Sequence, residues 1–181
     1  MSNPVNIKFS DASLALIQNI MSRYPEGKQK SALIPVLHIA QADFDGWLSP
    51  QTMDLVASVL KIQSVEVYEV ASFYSMFHLA PVGNCVFDVC RTSSCWSRGA
   101  DNIIAHIGKR LGIKPGETTS DGMFTLKAVE CLGSCGTAPM LQCGASFHEN
   151  LTPEKVDALI DSYRAAGTRR SYTDMDYKNT L

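Results

Sequence analysis

Four of the six cysteines fall in two tight pairs, Cys90-Arg-Thr-Ser-Ser-Cys95 and Cys131-Leu-Gly-Ser-Cys135, about one βα unit apart. No other feature constrains the chain as strongly, because thiols grouped this way ask the fold to bring them to one place. Each pair follows a β-rich run, Cys85–Val89 for the first and Phe124–Val129 for the second. Four thiolates at the ends of two strands can close around a 2Fe–2S cluster, for which four Cys are the usual ligands. Gly133 stands within the second pair and Gly136 just after it. Such glycines suit a loop whose N–H groups approach the sulfurs without an obstructing Cβ and tune the potential by hydrogen bonding. A helix starting after Cys95 would turn its positive N-terminal end toward the anionic centre.

The spacings C-x4-C and C-x3-C leave other readings open. Structural zinc also takes four Cys, more commonly as C-x2-C knuckles. Disulfides belong to oxidising compartments, and Met-Ser-Asn-Pro-Val-Asn has neither a signal region nor an Arg-rich transit pattern. Unligated buried thiols are the plain reading of any single Cys. Neither pair carries a His in ligand position, which disfavours a Rieske-type centre.

At 181 residues, the chain fits one or two small domains, and a 45 % apolar content is enough for a core. A net charge of −2 leaves no broad basic face for nucleic acid or anionic membrane. No apolar run approaches the roughly 18 residues of a membrane span. There is no Gly-rich dinucleotide fingerprint and no P-loop, so hydride chemistry is expected elsewhere.

The first 80 residues read as a small all-helical domain. A helix over 10–24 has Ser10 as N-cap and Leu14, Ile17, Met21 and Tyr24 at helical spacing. Lys28 to Ala42 reads as a second helix with Pro35 near its first turn or at a kink. Ser49-Pro50 starts a third that ends near Leu60. A fourth runs from Val65 to His78 after Ser64; its stripe of Tyr68, Phe73, Tyr74, Met76 and Phe77 is expected in the core. Nothing in this part has catalytic spacing.

Pro81-Val-Gly83 marks the boundary to a second domain, 81–166. Its order is strand, helix Ala100–Leu111, polar loop 112–122 and strand, then strands over Pro139–Cys143 and Ser146–Leu151 and a helix capped at Thr152-Pro153. A strand–helix–strand unit implies a parallel pair with a right-handed crossover, and sites in such sheets lie at the carboxyl ends of the strands. The fold class is therefore α+β, with a helical N-terminal domain before a thioredoxin-like βαβ-ββα domain. No C-x-x-C occupies the first strand–helix turn, so thiol–disulfide exchange is not supported. Residues 167–181 form a polar C-terminal tail, disordered or laid along a partner.

Several stretches, in one order over about residues 10–165, carry a resemblance. They are Tyr24-Pro-Glu-Gly27, Val67-Tyr-Glu-Val-Ala71, Phe73-Tyr-Ser-Met-Phe77, Pro81-Val-Gly83 and Leu111-Gly-Ile-Lys-Pro-Gly-Glu-Thr-Thr119. Asp121-Gly122, Phe124-Thr-Leu126, Glu130-Cys-Leu-Gly133 and Leu151-Thr-Pro-Glu-Lys155 complete them. The chain resembles the thioredoxin-like 2Fe–2S subunit family of respiratory NADH:quinone oxidoreductase, the E subunits of bacterial complex I. The resemblance implies that Cys90, Cys95, Cys131 and Cys135 hold one 2Fe–2S cluster, one pair per iron. It implies an electron-transfer subunit with no substrate-binding centre of its own. It also implies a flavoprotein partner that binds FMN and NADH, and a large iron–sulfur partner subunit. The cluster would exchange electrons with the FMN from a cytoplasmic peripheral arm of a membrane-bound complex, without direct membrane insertion. Relatives of this family also serve NAD-linked hydrogenases and soluble formate dehydrogenases, and the motifs do not separate these hosts.

Cys85 and Cys143 lie outside the motif and read as buried structural thiols. Arg91 and Arg98 flank the first pair and would favour the reduced centre if they pointed at it. His38, His78, His106 and His148 have no ligand spacing with one another and read as surface or satisfied core residues. A zinc-stabilised interaction module and a free-standing ferredoxin are the competing functional classes.

Overall fold

The computed structural model describes residues 7–171 and 173. The chain divides into two compact units, Met1–Pro81 and Val82–Leu181. Among the described residues no helix is long and apolar enough to cross a membrane.

The first unit is helical. Helix α1, Asp11–Met21, starts where Ser10 accepts a hydrogen bond from the Ser13 N–H and buries Ile17 and Ile20. The segment expected as one helix over 28–42 is instead a 3-10 turn, Gln29–Ala32, followed by α2, Leu33–Asp43. Pro35 thus lies in the first turn of α2, where the missing N–H leaves no helical bond unmade. Helix α3, Pro50–Leu60, has Ser49 as its cap and Pro50 at its first position; Lys61 ends it in the left-handed conformation. Helix α4, Ser64–Phe73, opens with a reciprocal cap between Gln63 and Glu66. Ile17, Val36, Leu37, Leu48, Val56, Leu60 and Val67 form the centre of this unit's core.

Helix α4 stops five residues before the expected His78, because tertiary bonds replace helical ones. The buried Gln41 side chain donates to the Met76 carbonyl at 3.1 Å and accepts the His78 N–H at 2.7 Å. The His78 carbonyl accepts the Leu48 N–H at 2.7 Å. This break also splits the aromatic stripe expected in the core. Phe77 is buried against His38, with ring centroids 4.9 Å apart, whereas Phe73 is 80 % exposed and Tyr74 39 %. A stripe that loses its helix after Phe73 no longer presents one face.

The second unit is built on a four-stranded sheet in the order β2-β1-β3-β4. Strand β1, Cys85–Cys90, pairs in parallel with β2, Phe124–Val129, from Cys85↔Phe124 to Cys90↔Val129. The crossover carries two helices, α5 (Ser93–Ser97) and α6 (Ala100–Leu111). Strand β3, Leu141–Cys143, runs antiparallel to β1, and β4, Ser146–His148, antiparallel to β3. Helix α7, Pro153–Ala166, follows the Thr152 cap. This is the expected βαβ-ββα order of a thioredoxin-like α+β fold. Both late strands are shorter than expected, because Asn150 and Leu151 give their N–H groups to the Thr137 and Pro139 carbonyls instead of extending a ladder.

Phe87 packs edge-on to Phe124, with centroids 5.4 Å apart, and against Tyr163 at 5.9 Å. Ile107, Leu126, Leu141 and Ile160 complete the core, which includes Cys85 and Cys143 with no exposed surface. Helices α6 and α7 lie side by side, tied by His106–Asp157 at 2.9 Å and Arg110–Asp161 at 3.1 Å. Described residues of the expected tail fold back on this same unit. Arg170 N–H donates to the Asn84 carbonyl at 2.8 Å, Arg169 to the Gly83 carbonyl at 3.2 Å, and the Arg170 guanidinium lies over the Tyr163 ring. Residues 172 and 174–181 of the tail lie outside the described residues.

Candidate metal centre

The parallel β1–β2 ladder brings the two cysteine pairs together. Cys90 is the last residue of β1, and Cys131 follows the end of β2 by two residues. Cys95 sits inside the short helix α5, which was not expected, while the helix expected after Cys95 is α6, Ala100–Leu111. The run Thr92-Ser93-Ser94 opens α5 through the bond from Trp96 N–H to the Thr92 carbonyl, 2.8 Å. Cys135 begins a single 3-10 turn, Cys135–Thr137. All four thiols are free.

The Cys131 and Cys135 sulfurs lie 3.6 Å apart. Two thiolates on one tetrahedral metal with bonds of about 2.3 Å stand about 3.8 Å apart, so this pair already has the spacing of two ligands on one ion. The Cys90 and Cys95 thiols are near enough for each to perturb the other's ionisation. Among the described residues no three His, Cys, Asp or Glu side chains converge on a single ion position. Four thiols in two pairs at one end of the sheet suit a binuclear centre with one pair on each metal.

The pairs differ in setting. Cys90 and Cys95 are 2 % and 1 % exposed, whereas Cys131 and Cys135 are at the surface. Burial alone would raise the Cys90 thiol, but hydrogen bonds from the Thr92 side chain and N–H outweigh it and hold it low. The Cys90 sulfur stands 3.3 Å from Thr92 Oγ1. Burial, with the neighbouring Cys90 sulfur, pushes Cys95 up to about 11. In the surface pair the Gly133 N–H, 3.4 Å from Cys131 Sγ, lowers Cys131, and the Cys131 sulfur in turn raises Cys135. In each pair one thiol is lowered and its neighbour raised, because a charge on one sulfur opposes a charge on the other. A metal cation at the centre would displace both protons.

Gly133 adopts φ +85°, and a Cβ there or at Gly136 would meet no protein atom within 4 Å. The need for glycine at 133 is thus the left-handed backbone that aims its N–H at Cys131, not crowding by the chain. Arg91 and Arg98 are both exposed. Sequence reasoning missed Thr92 and the Ser134–Thr137 turn, whose hydroxyls hydrogen-bond Glu149 from beyond β4. The hydroxyl-rich flanks of both pairs were the available signal.

The family model described as thioredoxin-like [2Fe-2S] ferredoxin matches residues 17–164. The chain belongs to the thioredoxin-like [2Fe-2S] ferredoxin family. It is 42 % identical over 159 residues to the E subunit of NADH-quinone oxidoreductase from Rickettsia bellii, covering 88 % of this chain and 95 % of that one. It is 43 % identical over 150 residues to the second E subunit of the same enzyme in Rhizobium meliloti, covering 83 % of this chain and 88 % of that one. Among solved structures, an H2-reduced NAD+-reducing [NiFe]-hydrogenase shares the fold, with TM-score 0.64 and 22 % identity. That match covers 74 % of this chain but only 22 % of the hydrogenase chain. Members of this ferredoxin family carry a 2Fe–2S cluster, and the paired, thiol-only donor set of this chain fits one.

Proposed function

We propose that this chain is the electron-transfer subunit of an NADH-oxidising module in an NADH–quinone oxidoreductase. Cys90, Cys95, Cys131 and Cys135 are its cluster ligands, the buried pair on one iron and the surface pair on the other. The observation that carries this reading is the meeting of two thiol pairs at one end of the β1–β2 ladder, in a chain similar along its length to the E subunits of that enzyme. When bound, the cluster supplies one-electron transfer.

The chain's own residues divide the remaining work. Thr92 and the Gly133 N–H place hydrogen-bond donors on sulfur, which favours the more negative reduced state. The core around Cys90 and Cys95 keeps water from one side of the centre, while Cys131 and Cys135 leave the other side open to a partner. The partners are a flavoprotein subunit binding FMN and NADH and a large iron–sulfur subunit, in a cytoplasmic peripheral arm. Residues 1–80 and 81–166 act as the helical and cluster-bearing domains.

The test is mass spectrometry of the native assembly purified through a tag on this chain, together with its visible spectrum. Co-purification with FMN-binding, iron–sulfur and membrane subunits, and a red-brown colour bleached by dithionite, is the expected result. A colourless protein containing zinc would overturn the redox reading. A nickel–iron hydrogenase or formate dehydrogenase among the partners would keep the cluster and change the host.

A further inference from the structure

The turn that carries Cys135 is fastened by a carboxylate from a different element. Ser134 and Thr137 bracket the cysteine. The Ser134 hydroxyl donates to Glu149 Oε1, and the Thr137 hydroxyl lies 2.6 Å from the same oxygen. The two hydroxyls are themselves 2.7 Å apart. The next residue, Asn150, gives its N–H to the Thr137 carbonyl at 2.7 Å. Glu149 and Asn150 follow β4 and precede α7, so this staple joins the Cys131–Cys135 loop to the far edge of the sheet through both side chain and backbone. Glu149 lies outside every stretch that carries the family resemblance. The hydroxyl bonds also hold its carboxyl below the usual range, so it is ionised at neutral pH.

We propose that Glu149 is a positioning residue for the iron–sulfur centre, fixing the turn that presents Cys135 and biasing the centre toward its oxidised state through its negative charge. The inference rests on the ligand reading given under Proposed function. Cys135 belongs to an exposed loop with no buried side chain in its 3-10 turn, so packing alone does not hold it, and the Glu149 bonds add to the Asn150 backbone bond in fixing it. A fixed negative charge bonded to Ser134, the neighbour of a ligand, opposes the arrival of an electron, since net charge around a cluster is one of the protein's levers on potential.

The experiment uses the full-length chain with its cluster, as wild type, Glu149→Gln and Glu149→Ala. Two quantities are read at neutral pH: the midpoint of a dye-mediated redox titration, and the rate at which visible absorbance is lost to a ferrous chelator. Glu149→Gln keeps an oxygen acceptor for both hydroxyls but removes the charge. It should shift the midpoint upward and lose its cluster at the wild-type rate. Glu149→Ala removes both, and should shift the midpoint upward and lose its cluster several-fold faster. An unmoved midpoint in Glu149→Gln overturns the charge role, and an unchanged loss rate in Glu149→Ala overturns the positioning role. A wild-type chain without iron–sulfur absorption sinks the ligand reading and this inference with it. A coloured wild type with two unmoved variants sinks this inference alone.

Discussion

Cys90 and Val129 are the last registered pair of the parallel β1–β2 ladder. The strand that ends on a thiol and the strand that leads to Cys131 therefore finish side by side. Everything proposed for the centre depends on that register: a shift of one residue would turn Cys90 to the other face of the sheet.

Replacing any one of Cys90, Cys95, Cys131 or Cys135 by Ala should reduce bound iron from about two atoms per chain to near none. Cys85→Ala and Cys143→Ala should retain the iron, because both thiols are enclosed in the apolar core. Their cost should be a stability loss of about 1 kcal/mol from a small cavity. Iron analysis and the visible spectrum distinguish the two groups, and a colourless Cys143→Ala that is still folded would contradict the assignment.

The aromatic residues after α4 should separate by burial. Phe77→Ala removes a ring packed on His38 and should cost about 3–5 kcal/mol. Phe73→Ser, at a site 80 % exposed, should change stability by less than about 0.5 kcal/mol. Urea unfolding of the two variants measures this, and equal losses would put Phe73 in a core it does not occupy here.

Histidine burial gives a pH window. His38 is held below the ordinary histidine range by burial, and His148 by burial and by the Arg170 charge. The unfolded chain then binds these protons more readily than the folded one below about pH 6.5. Stability contributed by the neutral rings is complete above that pH and is lost as pH falls toward their folded values. Glu66, Asp121, Glu149 and Glu154, also held low by hydrogen bonds, add their losses only near and below about pH 4.5. His148→Gln should therefore flatten the decline between about pH 6.5 and 5 while leaving the acid limb in place. Unfolding midpoints measured across that range would show it, and an unchanged slope would remove His148 from the account.

Gly144 controls the return of the chain after α7. It has φ +57°, and a Cβ there would stand 2.8 Å from the Ser171 carbonyl oxygen and 2.9 Å from its nitrogen. Gly144→Ala should cost at least about 1 kcal/mol and lift residues 168–171 from the unit. Cys85, whose sulfur lies 4.0 Å from the Thr168 carbonyl, should then react faster with an alkylating reagent. Peptide mapping after timed alkylation reports this, and equal rates in the two proteins would count against the tail as its cover.

Element type was readable wherever the chain states it locally. Ser10, Ser49-Pro50 and Thr152-Pro153 are caps whose bonds lie within the same turn, so short sequence windows contain the whole argument. The four-cysteine pattern was readable for the same reason. The end of α4 was not, because Gln41 and Leu48, distant in sequence, take over the backbone groups of Met76 and His78. Helix α5 escaped notice because its five residues are too few to show a period.

By itself, then, the sequence determined the βαβ-ββα order, the helical first unit and the identity of the thiols, since periodicity, caps and residue chemistry are local properties. Tertiary structure alone decided which aromatics reach the core, that the Cys90–Cys95 pair is sealed while Cys131–Cys135 faces solvent, and that Glu149 anchors the Cys135 turn. These are relations between segments brought together only by strand register and helix packing, and burial and hydrogen-bond partnership do not exist until that packing has formed.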